Sequence, residues 1–330
     1  MQPYFIIFAL SKNHKIPSFV RLLLLCLFIS FFTSETFSQT TEVSSESNPF
    51  VKNRLEFRHD NDFLLFTDRY YTTGSFIGYR KQKAHPSCEE CTIQTNFELQ
   101  HVFYTPTDRE AQDIALLDRP YAGFLGLSSG YTVIGKNNLI NLTLLVGVSG
   151  KSSGAEGFQN LFHSSGGIGR TVAWIGQIEN SFHVNLFTKY VKEWQLLPNP
   201  FSVHISYSPE IALGTKDIFF KQKAQFFFGK RNALINSSAY NQMGALKNEL
   251  FFGLHVSHSF VGHNALLEGN LVGDNSPYTI QPKDKLFQFG FDIYHRRGKN
   301  DFKVGYTYET PATRTVVLHI FMGFSYARNF

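Results

Sequence analysis

A run of oxygen-bearing side chains, Asp60-Asn61-Asp62, follows an apolar segment of this sequence. Carboxylate and amide groups crowded beside apolar residues are costly to bury unless a cation or hydrogen-bond donors satisfy them. Carboxylate oxygen is also a ligand that hard divalent cations prefer. The run is therefore a candidate metal site, with Asp60 and Asp62 as the ligands. An ordinary solvated strand end is the alternative interpretation.

A second polar segment contains a histidine that is suited to general-base chemistry. In residues 150–163 the spacing of apolar side chains changes from alternating to helical. Gln159 and His163 are four residues apart, so they fall on the same face of the predicted short helix. A neutral imidazole can take a proton from water near neutral pH, and His163 is therefore the predicted base. A structural or exposed histidine is the alternative.

Two further polar segments, residues 67–74 and 118–123, also interrupt the apolar pattern. The first contains Thr72 and the second contains Arg119. Each segment taken alone is typical of a turn or a loop that leads into a strand.

Alternation of apolar and polar residues predicts that strands position these four segments. In residues 316–330 the even positions are mostly apolar, and the odd positions between them include His319, Gly323 and Ser325. The runs longer than ten residues are 54–66, 121–134, 181–195, 285–296 and 316–330.

The length of these runs distinguishes two all-β architectures. Strands of a soluble sandwich have about five or six residues, whereas those of a membrane barrel have about 9–11 and place their apolar face in lipid. Polar, glycine-rich inner faces and a chain that ends in Phe330 favour a bacterial outer-membrane barrel over a sandwich. We predict a transmembrane antiparallel β-barrel over residues 54–330, with a short helical insertion near the site.

The expected number of strands is twelve. Thirteen segments have strand-like patterns, but single-chain bacterial barrels favour even numbers. The weakest segment is 264–271, which we expect to be a loop or a short helix.

The composition and the N-terminus agree with an exported membrane protein. Aromatic residues make up 16% of the chain and charged residues 17%, which excludes intrinsic disorder. A net charge of +5 is too weak to indicate nucleic-acid binding. A basic flank precedes the apolar run 22–32, which is shorter than the roughly 17–25 residues of a membrane-spanning helix. We predict a signal peptide over residues 1–38 and a polar leader over 39–53, with an N-terminal membrane anchor as the alternative.

Export also permits a disulfide. Cys88 and Cys91 lie in one tight loop, and we predict that they pair rather than bind zinc, which needs more ligands than these two.

Taken together, the polar segments resemble the lipid A 3′-O-deacylase family. The matching motifs, in sequence order, are Asn61-Asp62, Tyr71-Thr72-x-Gly74, Gln100-x-x-Phe103-Tyr104-Thr105-Pro106, Asp118-Arg119-Pro120-Tyr121-Ala122-Gly123, Gln159-x-x-x-His163 and Leu267-Glu268-Gly269-Asn270-Leu271. The resemblance implies a twelve-stranded outer-membrane barrel that hydrolyses the ester of the 3′ acyloxyacyl chain of lipid A. It also implies dependence on calcium and a site where the barrel wall meets the outer leaflet.

The same resemblance implies roles for individual residues. His163 matches the general base that activates a water, with Gln159 beside it on the helix. Asn61 and Thr72 match site residues of the family, and we expect calcium, with Asn61 or Thr72, to stabilise the oxyanion. Asp62 is the better candidate for a calcium ligand. His101 stands where the family has Lys, and a histidine is only partly charged at neutral pH. This departure bears on substrate placement or catalytic strength.

The expected partners follow from this hypothesis. They are lipid A or lipopolysaccharide, contacted through His101 and Arg119, and the lipid of the outer membrane. We expect a monomer. A non-catalytic porin or structural barrel and a phospholipid-directed lipase are the alternative functions.

Overall fold

The computed structural model describes residues 52–62, 69–85, 87–166 and 171–330. The predicted signal peptide and residues 39–51 of the predicted leader lie outside the described residues. The described part of the chain forms a closed barrel of twelve antiparallel strands, each paired with its neighbours in sequence. The predicted barrel and its strand number are therefore confirmed.

The strands have the following bounds: β1 Asn53–Asn61, β2 Tyr70–His85, β3 Cys88–Thr105, β4 Ala122–Ile134, β5 Asn138–Ser149, β6 Ser181–Leu197, β7 Ser202–Gly214, β8 Asp217–Lys230, β9 Glu249–Asn264, β10 Lys285–Arg297, β11 Asn300–Glu309 and β12 His319–Asn329. In the described ranges two α-helices lie between them, α1 Ala155–Gly166 and α2 Ala265–Glu268. Short 3₁₀ turns lie at Ile114–Leu116, Gly150–Ser153, Leu234–Asn236 and Ala239–Asn241.

Pairing of the first and last strands closes the barrel. The register joins Arg54 to Asn329 at one end and Asn61 to Met322 at the other. Closure leaves no unpaired strand edge, which lipid could not satisfy.

Strand ends differ from the predicted ones where backbone groups leave the ladder. The last strand begins at His319 instead of residue 316, because the amide of Val316 donates to Thr313 Oγ1 and that of Val317 to the Tyr70 hydroxyl. The first strand ends at Asn61 instead of residue 66. The weak segment 264–271 contains α2, as predicted, and the Asn264 side chain caps that helix by accepting from the Leu266 amide.

The predicted disulfide is present. Cys88 and Cys91 are bonded in the first residues of β3, next to the tight connection from β2.

Side chains alternate between two very different environments along each strand. Outward positions are apolar and exposed, as with Leu55, Phe57, Ile77, Tyr79, Phe97, Leu99, Leu127, Leu142, Leu254, Phe289 and Phe324. Inward positions are largely polar and buried, as with Arg54, Glu56, Arg80, Gln94, His204, Gln225, Asp292 and Asp301. An apolar exterior around a polar lumen is the arrangement of a barrel in a bilayer. None of the helices among the described residues has the length and apolarity needed to cross a membrane.

The two ends of the barrel have different connections. At the end that holds Asn53 and Asn329, four of the five connections between strands are short. At the opposite end, long loops span residues 106–121, 150–180 and 265–284. Short periplasmic turns and long extracellular loops are typical of outer-membrane barrels, so we assign the long-loop end to the cell exterior.

The fifth connection at the periplasmic end, residues 231–248, folds into the lumen. Arg231 forms a two-pronged ion pair with Glu193 of β6, with nitrogen–oxygen distances of 2.9 and 2.7 Å. The Tyr240 hydroxyl donates to the same carboxylate at 2.8 Å, and Arg54 donates to the carbonyl of Gln242 at 3.0 Å. This segment therefore occupies the periplasmic end of the lumen.

Candidate active site on the outer face of the barrel

A row of residues crosses four adjacent strands near their extracellular ends. The sheet register places Asn61 opposite Thr73, Thr73 opposite Phe103 and Phe103 opposite Gly123. Asn61 has the same parity along β1 as the exposed Phe57, so the row lies on the outer face. Directly opposed residues are about 4.5–5.5 Å apart, so the row unites polar segments that are distant in sequence.

Helix α1 lies over this row because Gly123 leaves room for it. A β-carbon at Gly123 would collide with Ser153 Oγ and with the β-carbon of Ala155, the first residue of α1. Further along the helix, the Phe158 ring lies 5.5 Å from the ring of His101 and 6.3 Å from that of Phe103. The predicted helical insertion is thus confirmed, and it lies against the outer wall rather than in the lumen.

The faces of α1 are distributed as in an interfacial helix. Gln159 and His163 are buried against the protein, with 3% and 8% exposure, and they share a face as predicted. Phe158, Leu161 and Phe162 are exposed by 46%, 64% and 60%. A soluble protein would bury those three residues, whereas a helix at a membrane boundary turns them to lipid.

Trp174, in the segment that follows α1, hydrogen-bonds to the buried face of the helix. Its indole nitrogen donates to Gln159 Oε1 at 2.8 Å. Its ring stacks on Tyr121 with 5.1 Å between centroids and lies 6.0 Å from Phe103. Sequence reasoning missed this residue, although it is one of only two tryptophans and lies in a polar loop.

Backbone contacts hold the same segment along the helix. The side-chain amide of Asn160 donates to the Val172 carbonyl at 3.0 Å and accepts from the Val172 backbone amide at 2.9 Å. The amide of Ile178 donates to the carbonyl of Tyr121 at 3.0 Å. The helix and its return segment are thus attached to each other and to the start of β4.

Thr72 owes its position to an irregularity in β2. The register with β3 shifts between Tyr71 and Thr73, and such a bulge re-aims the residue that it contains. The buried Thr72 hydroxyl lies 2.7 Å from that of Thr105, which has the same parity along β3 as Phe103. Thr72 therefore lies one position further along the outer face from the row.

Asp62 lies just beyond β1 and is fully buried. Its Oδ2 accepts from the Arg69 amide at 2.5 Å, while the neighbouring Asn61 donates to the Thr73 hydroxyl at 3.1 Å. Within the described ranges, no three His, Cys, Asp or Glu side chains cluster as metal ligands. A cation here would therefore need neutral oxygens beside Asp62. The carboxylate, amide and hydroxyl oxygens of Asp62, Asn61 and Thr72 are of the kind that calcium takes.

Two of the predicted site residues lie inside the barrel instead. Asp60 accepts from the Tyr71 hydroxyl at 2.9 Å and lies 3.8 Å from Arg58, which also points inward. Asp60 therefore faces the lumen, whereas Asp62 lies beyond the last residue of β1, where strand alternation no longer directs its side chain.

Arg119 is the second predicted site residue that lies inside the barrel. It is buried with its guanidinium 4.4 Å from the centroid of the lumenal Tyr104 ring, and it donates to the carbonyl of Leu266 at 3.5 Å. Burial lowers the pKa of Arg119 to about 10, although Tyr104 and Asp118 raise it in part. The structure therefore does not bring Arg119 to the outer face, where the resemblance had implied contact with the substrate.

His101, by contrast, is on the outer face beside α1. Its ring meets Phe158 edge-on, and its Nε2 is buried without a hydrogen-bond partner among the described residues. The site thus combines His101, Thr72, Asn61, Gln159 and His163 on one side of the wall.

Known proteins with this fold include an outer-membrane protein of similar size. A family model described as outer membrane protein LpxR matches residues 22–326. LpxR from Salmonella typhimurium has a TM-score of 0.70 at 18% identity, covering 84% of this chain and 100% of that one. The beta domain of the Bordetella autotransporter Brka has a TM-score of 0.43 at 10% identity, covering 84% and 98%. No curated protein matches the sequence significantly.

Proposed function

The chain belongs to the LpxR family of outer membrane proteins, and from this membership we propose that it is a lipid A deacylase. The reaction is hydrolysis of the ester that joins the acyloxyacyl chain to the 3′ oxygen of lipid A, with calcium as cofactor. The main support is the position of His163, which α1 holds between the outer wall of the barrel and the lipid.

The location of the site suits a substrate that stays in the membrane. Lipid A occupies the outer leaflet, and its acyl chains can approach the wall sideways along the exposed Phe158, Leu161 and Phe162. The polar residues then meet the ester from the side of the wall, where the helix shields them from bulk water.

His163 acts as the general base in this proposal. Its imidazole takes a proton from a water molecule, and the water oxygen attacks the carbonyl carbon of the ester. When the bond to the sugar breaks, the imidazolium returns the proton to the departing 3′ oxygen. Such general acid–base catalysis contributes about 10²–10⁴-fold to the rate.

Oxygen donors at the end of β1 and in the β2 bulge would hold the calcium. Asp62 supplies the charge, and Asn61 and Thr72 supply neutral oxygens. When bound, calcium supplies positive charge for the oxygen that becomes negative during attack. The Arg69 amide holds the Asp62 carboxylate in place through its hydrogen bond.

The alternative of a porin is disfavoured by the contents of the lumen. Residues 231–248 fill its periplasmic end, and Arg119 and Leu266 pack together at the extracellular end. Arg296, which pairs with Asp301 on the neighbouring strand, also donates to the carbonyl of Ala245 in that segment at 2.7 Å. A pore needs a continuous aqueous path, and a segment folded into the lumen disfavours one.

Mass spectrometry of lipid A tests the proposal. Purified protein in outer-membrane-like vesicles with calcium should remove the 3′ acyloxyacyl group, and a chelator should stop the reaction. Lipid A of unchanged mass beside a folded barrel would contradict the proposal. Loss of phospholipid acyl chains instead would favour the phospholipid-directed lipase.

A further inference from the structure

We propose that Gln159 donates a hydrogen bond to the carbonyl oxygen of the scissile ester, and that Trp174 is the positioning residue that orients its amide for this role. The inference rests on the proposed hydrolysis and adds an oxyanion donor to it.

The Trp174 contact determines which end of the Gln159 amide faces the substrate. An indole nitrogen can only donate, so the amide atom that it meets at 2.8 Å must be the oxygen. The Gln159 Nε2, with two hydrogens to donate, then points away from the tryptophan. A histidine or a hydroxyl in place of Trp174 could accept as well as donate and would leave both amide orientations possible.

The Nε2 that is directed in this way has no acceptor in the protein. Gln159 is buried, and its Nε2 has no hydrogen-bond partner among the described residues. A buried donor without an acceptor is destabilising, so its retention calls for an explanation. An acceptor that arrives with the substrate provides one, since Gln159 lies one helical turn before His163 on the same face.

Trp174 is itself held rigidly. Its ring is buried between Tyr121 and Phe103, and the Tyr121 hydroxyl donates to the carbonyl of Arg109 at 3.1 Å. The backbone amide of Trp174 also lies 3.3 Å from Glu156 Oε1, on the first turn of α1. A donor fixed in this way sets the amide before the substrate binds, which is the condition for an efficient oxyanion donor.

Gln159 assists the step in which negative charge develops on the ester carbonyl oxygen. As the water oxygen bonds to the carbonyl carbon, the carbonyl π pair moves onto the carbonyl oxygen, where the Gln159 N–H stabilises the negative charge. The pair then returns to re-form the carbonyl as the bond to the 3′ oxygen breaks. The products are the free acid and the sugar hydroxyl.

Three single variants and one double variant test the proposal by steady-state kinetics of 3′ acyl release. Gln159→Glu keeps an acceptor for the indole but loses the donor, and its kcat should fall by roughly 10²-fold or more. Trp174→Phe keeps the stacked ring but loses the N–H, and its kcat should fall on the order of tenfold, with KM nearly unchanged. Trp194→Phe is the matched control, because Trp194 is 47% exposed on the outer face of β6, away from α1.

The double variant separates positioning from packing. If Trp174 acts through Gln159, adding Trp174→Phe to Gln159→Glu should cause no further loss. The proposal would be overturned if the kcat losses of the two single variants multiplied in the double variant. It would also be overturned if Trp174→Phe changed only KM or kept the wild-type kcat. Should Trp174→Phe not fold, benzothienylalanine at position 174 replaces only the N–H with sulfur, and the same kcat loss is expected. A wild-type protein without acyl release would reject the deacylase function itself, which is a distinguishable result.

Discussion

The lumen and the outer-face site both bury polar side chains, but in the lumen the charged groups are joined in ion pairs. In the lumen, Glu193 accepts from Arg231 and from Tyr240, and His204 lies 3.1 Å from the same carboxylate. On the outer face, Gln159 and His101 each have a buried nitrogen without a partner among the described residues.

This difference separates structural from chemical polar groups. A buried charge is tolerated when it is paired and hydrogen-bonded, so the lumenal network stabilises the barrel without needing a ligand. Among the described residues, unmatched buried atoms occur in both regions, for example Arg231 Nε and His204 Nε2 in the lumen. Those of Gln159 and His101, however, lie at the lipid-facing wall, where a substrate can complete them. The two regions lie on opposite sides of the same wall, which is why strand parity assigns residues to one or the other.

The largest expected contrast is between His163 under α1 and His204 in the lumen. His163→Ala should lower acyl release by about 10²–10⁴-fold, because the base is lost. His204→Ala should leave acyl release unchanged, because Glu193 keeps Arg231 and Tyr240 as partners. Mass spectrometry of lipid A measures the release, normalised to the heat-modifiable folded barrel. Equal losses of acyl release in the two variants would contradict the distinction between the outer-face site and the lumen.

Breaking the lumenal ion pair should lower the stability of the barrel and leave acyl release per folded molecule unchanged. Burial by itself would lower the pKa of Arg231, but Glu193 raises it above its ordinary value, so the guanidinium stays charged. Arg231→Met leaves the Glu193 carboxylate buried without this partner and should destabilise the barrel by about 3–5 kcal/mol. The gel-shift midpoint on heating measures this change.

The matched control for that variant is Arg328→Met, at an exposed position on the outer face of β12. It should leave the midpoint nearly unchanged. A drop in acyl release per folded molecule of Arg231→Met would show that the lumen contributes to catalysis.

The sequence predicted what local periodicity encodes. Alternation predicted the strands and their outward faces, and the change to helical spacing predicted α1 with Gln159 and His163 on one face. The sequence did not predict the register, because the row from Asn61 to Gly123 depends on the offset between consecutive strands, which alternation within each strand does not determine. Nor did the sequence reveal that Trp174 meets Gln159 or that Arg119 points inward. Tertiary contacts, not local patterns, decide both.

Gly123 provides a smaller test of the outer region. In Gly123→Ala the new methyl group collides with Ser153 and Ala155, which should displace α1 from the wall. Overpacking of this kind costs about 1–3 kcal/mol. Acyl release should fall by roughly tenfold, since a misplacement of about 1 Å can cost about 10²-fold.

Gly78→Ala is the control on the lumenal face. The nearest atom to its methyl group would be the flexible end of Arg80, at 3.4 Å. Normal kinetics in Gly123→Ala would mean that the helix need not rest on this glycine.

The smallest expected effect concerns the lipid-facing side of α1. Phe162→Ser removes part of the apolar surface that this helix presents to lipid, and full burial of such a side chain is worth about 1.5–3 kcal/mol. Because Phe162 touches lipid and not the ester, KM on vesicles should rise about threefold to tenfold while kcat stays constant. Phe201→Ser, an equally exposed position at the periplasmic end, is the control and should leave KM unchanged. A fall in kcat for Phe162→Ser would instead place this ring at the reacting atoms, and the polar and apolar faces of α1 would then no longer have separate roles.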